Sequence, residues 1–370
     1  MLTYEKIVSV EKFIELRGEW NSLLNKSDNT VPYLRHEWLE SWWYGFGQGH
    51  RLHVILVRDN GQLIGAAPLM VSRRTLSKLP VVAVHFIGLN FGFLDFIAVE
   101  RKRECLSLFM KLLLEESDSD VIIIKGISAQ SDHDQILRDL LTQRQIKFNV
   151  KTHGEIFIDT RSGKQRYIEE RSTKLWSNIR NRRKRLERLG KVEFIRYQKN
   201  DDPSEIMNEA FDVSLRSWKG KTGTAISLKE EFRRFFTRQF DLFSQNGGAE
   251  IWIMRSNGKG IACRLGFVDR GIYVESEIAY DEAFAPYSPG TILSAVSNEV
   301  LIQEGISEIN LGMAFAWKQE WSPQSKERLE FFIFNPAGIY PRLLYKLQDW
   351  NGRYVQRFAH GTAPLNEGDG

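Results

Sequence analysis

The spacing of hydrophobic and polar residues predicts a series of helices and strands in the first half of the chain. Apolar residues recur every three to four positions at Phe13, Leu16, Trp20 and Leu23, the spacing of one face of a helix. Continuous apolar runs follow, and such runs are typical of buried strands. The predicted elements are a short helix near 38–44, strands near 51–58, 63–71, 81–88 and 93–99, a helix near 102–115, a strand over 121–125 and a helix near 132–144.

A similar order of elements is predicted in the second half. Its elements are helices near 203–218 and 228–245, strands near 249–255, 261–268 and 271–280, a helix over 289–304 and a strand over 308–311. Both halves thus predict two helices, an antiparallel meander, a helix and a strand. This order is typical of an α/β (α+β) fold in which a mixed, mostly antiparallel sheet is flanked by helices.

Two similar turns support an internal duplication. Asn60-Gly61 and Asn257-Gly258 are 197 positions apart, and each lies between two apolar runs. Asn-Gly is a strong signal for a two-residue hairpin, because both residues tolerate the positive φ that such a turn requires. The same hairpin is therefore predicted in each half.

The length of the chain favours two domains, since one hydrophobic core rarely serves 370 residues. We predict an N-terminal domain over 1–160, a linker helix over 161–190 and a C-terminal domain over 191–345. Residues 346–370 are predicted to hold the end of a last helix and a disordered tail.

The linker is strongly basic. Residues 171–188 contain eight Lys and Arg and one Glu, a net charge of +7 against +4 for the whole chain. Leu175, Ile179, Leu186 and Leu189 recur at helical spacing, which predicts an amphipathic basic helix. Such a helix is either solvated between the domains or binds an anion: RNA, anionic lipid, a cyclic dinucleotide or the phosphates of CoA.

Several classes of protein are disfavoured. Cys105 and Cys263 are far apart and lack a nearby partner, and the seven histidines are scattered, so neither a disulfide framework nor a metal site is predicted. The first ten residues lack the apolar core of a secretion signal. The apolar stretch 80–99 contains His85, Asn90 and Asp95, which favours two buried strands over a membrane span. A cytoplasmic location is expected.

The entry into the 289–304 helix is the strongest candidate for a ligand site. A helix that begins beside a splayed sheet offers free backbone N–H groups to a phosphate or to a developing oxyanion. In Tyr287–Thr291, Ser288 is predicted as the N-cap, Pro289 as the first helical residue and Gly290 as a position without a blocking side chain. We expect the amides of Gly290, Thr291 and Ile292 to bind the ligand. The plainer alternative is that this segment only starts a helix. The equivalent first-half entry, 98–102, contains an acid and no glycine.

Several segments resemble one family when they are taken in order. Residues 33–43, which include Trp38, are similar to its "P-F-x-x-x-W-x-x-x-W" opening, and Phe93–Phe96, with Asp95, to its "Y-L-D" strand. Further similarities are Arg216-Ser217-Trp218, Ser288–Leu293, and Asn310-Leu311-Gly312 with Trp317-Lys318 and Trp321, where "D-x-G…Y-K…W" is usual. These segments resemble the GNAT-fold acetyltransferases called CelD/BcsL-like, which are associated with cellulose and exopolysaccharide gene clusters and related to FemAB transferases. Asn310 and Trp317 depart from the usual Asp and Tyr.

The resemblance implies two tandem GNAT-like domains and acetyl-CoA, or another acyl-CoA, as donor, with no metal. The second domain is expected to hold the donor, and the first to be degenerate and without a cofactor.

Transfer to an amine needs a base, an oxyanion donor and an acid for the thiolate. Glu277 is the first candidate for the base and Glu275 the second, on the prediction that both share one strand face with Tyr273. Tyr280 or Tyr287 is the candidate acid. The candidate substrate-binding residues are Asp95, Arg216, Trp218, Lys318 and Trp38. Each candidate has a plainer alternative. These are a solvated strand face for the two carboxylates, simple packing for the tyrosines, an internal ion pair for Asp95 and Arg216, and a surface position for Lys318.

The predicted function is direct acyl transfer to an amino sugar or an exopolysaccharide or cell-envelope precursor. The expected partners are a small-molecule or saccharide substrate and polysaccharide-synthesis machinery at the inner membrane, to which the protein would be peripheral, and no nucleic acid. Two alternatives remain: an aminoacyl-tRNA-dependent transferase of the FemAB type, and a non-catalytic module that binds an anionic ligand such as a cyclic dinucleotide. Acceptor, acyl length and oligomeric state are left open by the sequence.

Overall fold

The computed structural model describes residues 1–348 except 90, 117 and 198–202. Its strands form two sheets, one of four strands and one of eleven. The strands are β1 (Leu2–Ile7), β2 (Arg51–Leu52), β3 (Val54–Asp59), β4 (Gln62–Ala67), β5 (Leu69–Leu76), β6 (Leu79–Phe86), β7 (Ile97–Ala98), β8 (Val121–Ser128), β9 (Phe148–Asp159), β10 (Val192–Arg196), β11 (Ala249–Ser256), β12 (Lys259–Asp269), β13 (Ile272–Tyr280), β14 (Glu308–Met313) and β15 (Ser325–Phe334).

Helices cover the faces of these sheets. They are α1 (Val10–Glu15), α2 (Arg17–Lys26), α3 (His36–Phe46), α4 (Lys102–Glu115), α5 (Asp132–Gln143), α6 (Gly163–Glu169), α7 (Thr173–Glu187), α8 (Pro203–Leu215), α9 (Trp218–Thr222), α10 (Glu230–Ser244) and α11 (Pro289–Gln303). Short 3-10 turns span Pro32–Leu34, Glu282–Tyr287 and Ala316–Glu320, and residues 339–348 are helical. None of the helices within the described part of the chain is long and apolar enough to cross a membrane.

The large sheet joins the two halves by an exchange of strands. Its order is β10-β11-β12-β13-β14-β9-β15-β8-β6-β5-β2. β9, from the first half, pairs with β14 of the second, and β15, from the second, pairs with β8 of the first. β9 and β15 also pair with each other over nine residue pairs. Each half therefore completes the sheet of the other, and this pairing runs across the boundary predicted between the domains.

The predicted hairpins are confirmed. Asn60-Gly61 and Asn257-Gly258 join β3 to β4 and β11 to β12, and all four residues have positive φ, between 48° and 85°. The strand predicted near 93–99 is wrong in extent, because only Ile97–Ala98 forms ladder bonds, with β4. The run predicted as one strand over 63–71 is broken between β4 and β5, which lie in different sheets. Trp350 and the predicted tail from 349 onward lie outside the described residues.

The predicted basic helix is present as α7, and it is amphipathic. Leu175, Ile179 and Leu186 are buried against the second half, whereas Leu189 is exposed. The two halves also meet through an ion pair between Arg35, just before α3, and Asp269, at the end of β12. Asp269 is 5% exposed, so this ion pair is shielded from solvent and is screened little by salt.

Candidate active site

The candidate site lies where β13 and β14 separate. The two strands are parallel neighbours over only three pairs, from Ile272–Glu308 to Val274–Asn310. Beyond these pairs β13 stays bonded to β12 and β14 to β9, so the sheet opens between them. The opening lies on the path of the chain into α11, as the sequence predicts for a splayed sheet beside a helix start.

The start of α11 has backbone donors that the protein does not use. Pro289 is the first helical residue, as predicted, and Ser288 precedes it in the left-handed region with φ 47° and ψ 57°. The Ser288 side chain makes no capping bond. Among the described residues, the amides of Gly290 and Thr291 have no hydrogen bond to a protein acceptor, so both remain available as donors; Gly290 itself is buried.

Two details of the predicted cradle are corrected. Ser288 occupies the N-cap position but does not cap through its hydroxyl, because its backbone is left-handed rather than extended. The Ile292 amide is already bonded to the Ser288 carbonyl at 3.2 Å, and its side chain is fully buried. The free donors are thus those of Gly290 and Thr291. A Cβ on Gly290 would lie 3.4 Å from a ring carbon of Tyr280, an ordinary contact.

Helix α7 adds positive charge beside this cradle. The Arg185 guanidinium lies over the ring of Tyr287, 5.4 Å from its centroid. Arg185 is exposed, as are Arg180, Lys184 and Arg188 on the same helix. An anion bound at the α11 amides would therefore have cations within reach. The basic pattern of the linker was visible in the sequence, but its position over Tyr287 depends on tertiary packing.

A β-bulge separates the two carboxylates that were predicted to share a strand face. In the pairing of β12 with β13, Leu265 is opposite Glu277 and Gly266 is opposite Glu275, which leaves Ser276 as an extra residue. Glu277 therefore points to the α8 side, where Ser214 bonds it, and Glu275 to the α11 side with Tyr273. The prediction of a common face is wrong for Glu277.

Glu277 is buried but not isolated. Lys219, at the start of α9, lies 2.7 Å from its Oε2, and the Ser214 hydroxyl donates to Oε1 at 3.3 Å. Burial raises the pKa of Glu277, and the opposing effects of Lys219 and Ser214 leave it above the ordinary value. A carboxylate with a raised pKa is suited to accept a proton from an ammonium group. Sequence reasoning missed Lys219, although it directly follows Arg216-Ser217-Trp218.

The surroundings of Glu275 give this carboxylate a structural role, as the partner of a buried arginine. Arg264 is fully buried and donates from Nε to Glu275 Oε2 at 2.9 Å. The same guanidinium donates to Ser297 at 2.6 Å and to Asn298 at 2.7 Å, both on α11. Because Glu275 neutralises a buried arginine, it is poorly placed to act as a free base.

Lys318 is a buried residue of the opening, not a surface lysine. It is 8% exposed and donates to the Leu311 carbonyl on β14. Burial lowers the pKa of Lys318, the charge of Glu275 opposes this effect, and the charge of Lys219 adds to it. Glu275 and Lys219 therefore lie close enough to Lys318 to act on its charge. A Cβ on Gly312 would lie 4.0 Å from Lys318 Nζ and 3.9 Å from the Tyr33 hydroxyl. The first half thus contributes Tyr33 to the opening.

Other predicted substrate residues have different positions. Trp38 is 2% exposed and packs edge-on against Tyr33 and Phe235, which are the contacts of a core residue; a role in substrate binding stays a prediction. Arg216 bonds Asp281 at 2.7 Å and the Gly260 carbonyl, which fixes the end of β13. Asp95 binds a histidine in another cavity, away from these residues.

Aromatic residues flank both lysines of the opening on its outer side. Trp218 is 48% exposed, and Phe315 and Trp317 are 53% and 49% exposed. Lys318 Nζ lies 5.2 Å and 5.3 Å from the centroids of the latter two rings. Within the described ranges, no group of three or more His, Cys, Asp or Glu side chains is arranged to hold a metal ion.

Comparison with known proteins supports the fold and the class of enzyme. Residues 173–319 match the family model described as an acetyltransferase (GNAT) domain. No curated protein matches the sequence. In structure, the chain is similar to FemX, with a TM-score of 0.62, 12% identity, and 93% of this chain and 99% of that chain covered.

Two further structures have the same fold. One is the C-terminal domain of an Agrobacterium fabrum protein described as a lysylphosphatidylglycerol synthetase (TM-score 0.55, 13% identity, 92% of this chain and 96% of that chain covered). The other is L-PGS from Bacillus licheniformis (TM-score 0.53, 14% identity, 91% and 96% covered). At this identity the likeness speaks for the fold alone.

The matched segment contains the elements of the candidate site from α7 to Lys318, including β13, α11 and β14. The CelD/BcsL-like resemblance has no counterpart among these comparisons and stays a prediction. The prediction of an α/β fold with a mixed, mostly antiparallel sheet flanked by helices is confirmed. The prediction of an acyltransferase is confirmed through the GNAT acetyltransferase domain that residues 173–319 match. That the first half is a second GNAT-like domain stays a prediction.

Proposed function

We propose that the protein is an acyl-CoA-dependent N-acyltransferase that acts on an amino sugar or on an exopolysaccharide or cell-envelope precursor. The observation that carries the proposal is the pair of free amides at Gly290 and Thr291, beside the opening between β13 and β14. Backbone donors at a helix start suit a pyrophosphate, and they are fixed before the ligand arrives. Arg185, above Tyr287, adds a cation for the remaining phosphate charge.

Transfer would proceed in one step within the opening. Acetyl-CoA, or another acyl-CoA, supplies an activated thioester, so no covalent enzyme intermediate is required. The amine nitrogen attacks the carbonyl carbon, the new C–N bond forms and the C–S bond breaks. Glu277, directly or through a water, accepts the proton of the amine. Tyr280 or Tyr287, both beside the start of α11, donates a proton to the departing thiolate.

The outer rim of the opening supports a saccharide acceptor. Trp218, Phe315 and Trp317 present exposed rings, and flat aromatic surfaces with polar neighbours suit the faces of sugar rings. Lys318 and Lys219 lie deeper and would attract an acidic group such as a uronic carboxylate or a nucleotide-sugar phosphate. A cytoplasmic protein beside polysaccharide-synthesis machinery at the inner membrane would fit this acceptor.

The exposed cations of α7 favour one second candidate, transfer from an aminoacyl-tRNA. Arg180, Lys184, Arg185 and Arg188 form a basic face next to the donor cradle. A tRNA donor would bind with an affinity that falls steeply with salt, since phosphate contacts release counterions. Tight binding of a cyclic dinucleotide without any acyl-CoA binding would instead select a non-catalytic module.

Calorimetry with acetyl-CoA and longer acyl-CoAs tests the proposal. We expect the wild type to bind and Gly290→Glu to lose binding, because the added carboxylate would occupy the cradle. Gly18→Glu is the matched control: Gly18 is also the second residue of a helix, α2, and a Cβ there meets nothing within 4 Å. If Gly290→Glu binds as tightly as the control, the donor is not held at α11.

A further inference from the structure

A second cavity lies between elements of the first half and β15, and its lining contains no residue of β13, β14 or α11. Its volume is about 500 Å³, within the range of small-molecule pockets. It is walled by the segment before the Pro32–Leu34 turn, the starts of α4 and α5, and β15. Its lining contains three carboxylates, three permanent cations and one histidine, but no aromatic side chain apart from that histidine.

The histidine belongs to a buried dyad. His133, in the first turn of α5, lies with Nδ1 2.8 Å from Asp95 Oδ1, and their side chains are 8% and 7% exposed. The second ring nitrogen, Nε2, has no hydrogen-bond partner within the described residues. A buried polar atom without a partner is costly, so it indicates a group that the structure still has to bind.

The dyad favours an imidazole that donates from both nitrogens. Burial lowers the pKa of His133, but the charge and hydrogen bond of Asp95 outweigh this effect and hold the pKa above its ordinary value. With Nδ1 bound to Asp95, a protonated ring presents Nε2–H as a donor. Such a donor suits a carboxylate or another anionic oxygen.

Arg328 provides a second buried donor on the same cavity. Its side chain is 6% exposed and its Nε bonds Glu155 at 2.7 Å, with Nη2 also next to that carboxylate. Nη1 makes no hydrogen bond within the described part of the chain. The deep side of the cavity thus offers two cationic donors, each held from behind by a carboxylate.

The rim has the opposite character. Asp28 and Asp132 are 74% and 68% exposed and share one cation, Lys102, at 2.7 Å and 2.9 Å. Two carboxylates with a single ammonium leave the rim with one net negative charge. The cavity is therefore polarised, with anion donors at depth and a carboxylate surplus at the entrance.

We propose that this cavity binds a free α-amino acid, with its carboxylate on His133 and Arg328 and its ammonium group toward Asp28 and Asp132. The charge balance of the lining fits a zwitterion better than a polyanion, for which the rim carboxylates would be repulsive. The lack of rings for stacking disfavours a nucleotide or a sugar. The lining of this cavity shares no residue with the donor cradle at α11.

Ligand-observed NMR and calorimetry on the full chain, with each standard L-amino acid added singly, test this inference. At least one should bind the wild type, and its N-acetyl and carboxamide derivatives should bind more weakly. Asp95→Asn and His133→Gln should weaken binding by about tenfold or more, the loss expected when a hydrogen bond to a charged group is removed. Asp132→Asn, at an exposed position, should weaken the amino acid but not its N-acetyl form.

The controls separate loss of the site from loss of the fold. Each variant is checked for a wild-type thermal transition and far-UV spectrum, and Asp132→Asn serves if the two buried variants fail to fold. The proposal is overturned if no amino acid binds the wild type, if binding survives both dyad variants unchanged, or if inorganic phosphate binds this cavity while the amino acids do not.

Discussion

Replacing Arg264 by Met should destabilise the protein strongly, because this guanidinium, on β12, joins its own strand to β13 and to α11. It is fully buried and bonds Glu275 on β13 at 2.9 Å, and Ser297 and Asn298 on α11 at 2.6 Å and 2.7 Å. Met fills most of the volume but leaves the Glu275 carboxylate, 6% exposed, without its cation. Breaking a buried pair from one side costs about 3–5 kcal/mol.

A neighbouring arginine provides the control. Arg255 on β11 pairs with Glu209 at 2.6 Å, but its side chain is 35% exposed. Exposed pairs are screened by solvent and contribute about 0–1 kcal/mol, so Arg255→Met should change the free energy of unfolding little. Equilibrium urea unfolding measures both variants, and an unchanged m-value shows that the same surface unfolds.

The double variant Arg264→Met/Glu275→Met separates charge from packing. If the single variant suffers from an unpaired buried carboxylate, the double variant should be more stable than Arg264→Met alone. The reasoning is refuted if Arg264→Met loses no more stability than Arg255→Met. Glu275 would then have to be solvated or protonated at little cost, which its burial contradicts.

Three further results are expected. Lys219→Met should raise the pKa of Glu277 further, because it removes the cation that opposes the effect of burial. The acidic limb of the pH profile of acetyl-CoA hydrolysis should therefore move to higher pH, and an unmoved limb would exclude Glu277 as base. Burial lowers the pKa of His85 to about 4 in the folded protein. As the pH drops from about 6.5 toward 4, the unfolded chain binds a proton at this residue before the folded protein does, so the free energy of unfolding falls. His85→Asn lacks this titrating group, so over that pH interval its free energy of unfolding, measured with urea, should fall by about 3 kcal/mol less than that of the wild type. Equal losses in the two proteins would contradict the lowered pKa of His85. Gly126→Ala should cost about 3 kcal/mol or more in thermal unfolding, because φ is +129° and the Cβ would lie 2.2 Å from the Leu94 backbone; a smaller loss would mean that the contact relaxes.

Local chemistry made the hairpins and the start of α11 predictable. Asn60-Gly61 and Asn257-Gly258 have the positive φ that their residue types tolerate, and Pro289 occupies the first helical position that its missing N–H favours. These features depend on a few adjacent residues. The sequence therefore carries their geometry without reference to the rest of the fold.

Features set by distant partners were not predictable in the same way. The bulge at Ser276 arises from the register of β12 against β13, and it moves Glu277 to the opposite face from the one that simple alternation predicts. The contact of Lys219 with Glu277 requires α9 to lie beside β13, and Lys318 is buried where its ammonium group donates to the Leu311 carbonyl. None of these relations has a signature within a short window of sequence.

The exchange of β9 and β15 brings the first half into contact with a candidate site whose other elements lie in the second half. Glu155 on β9 accepts from Asn310 on β14 at 2.9 Å and from Arg328 on β15 at 2.7 Å, so one buried carboxylate spans three adjacent strands. Asn310 is also the last β14 residue paired with β13, the point at which the sheet opens. The first-half strand thus fixes where the opening begins, and Tyr33 reaches its inner wall. The first half therefore supplies one wall of the candidate site, whose other elements lie in the segment that matches the acetyltransferase domain.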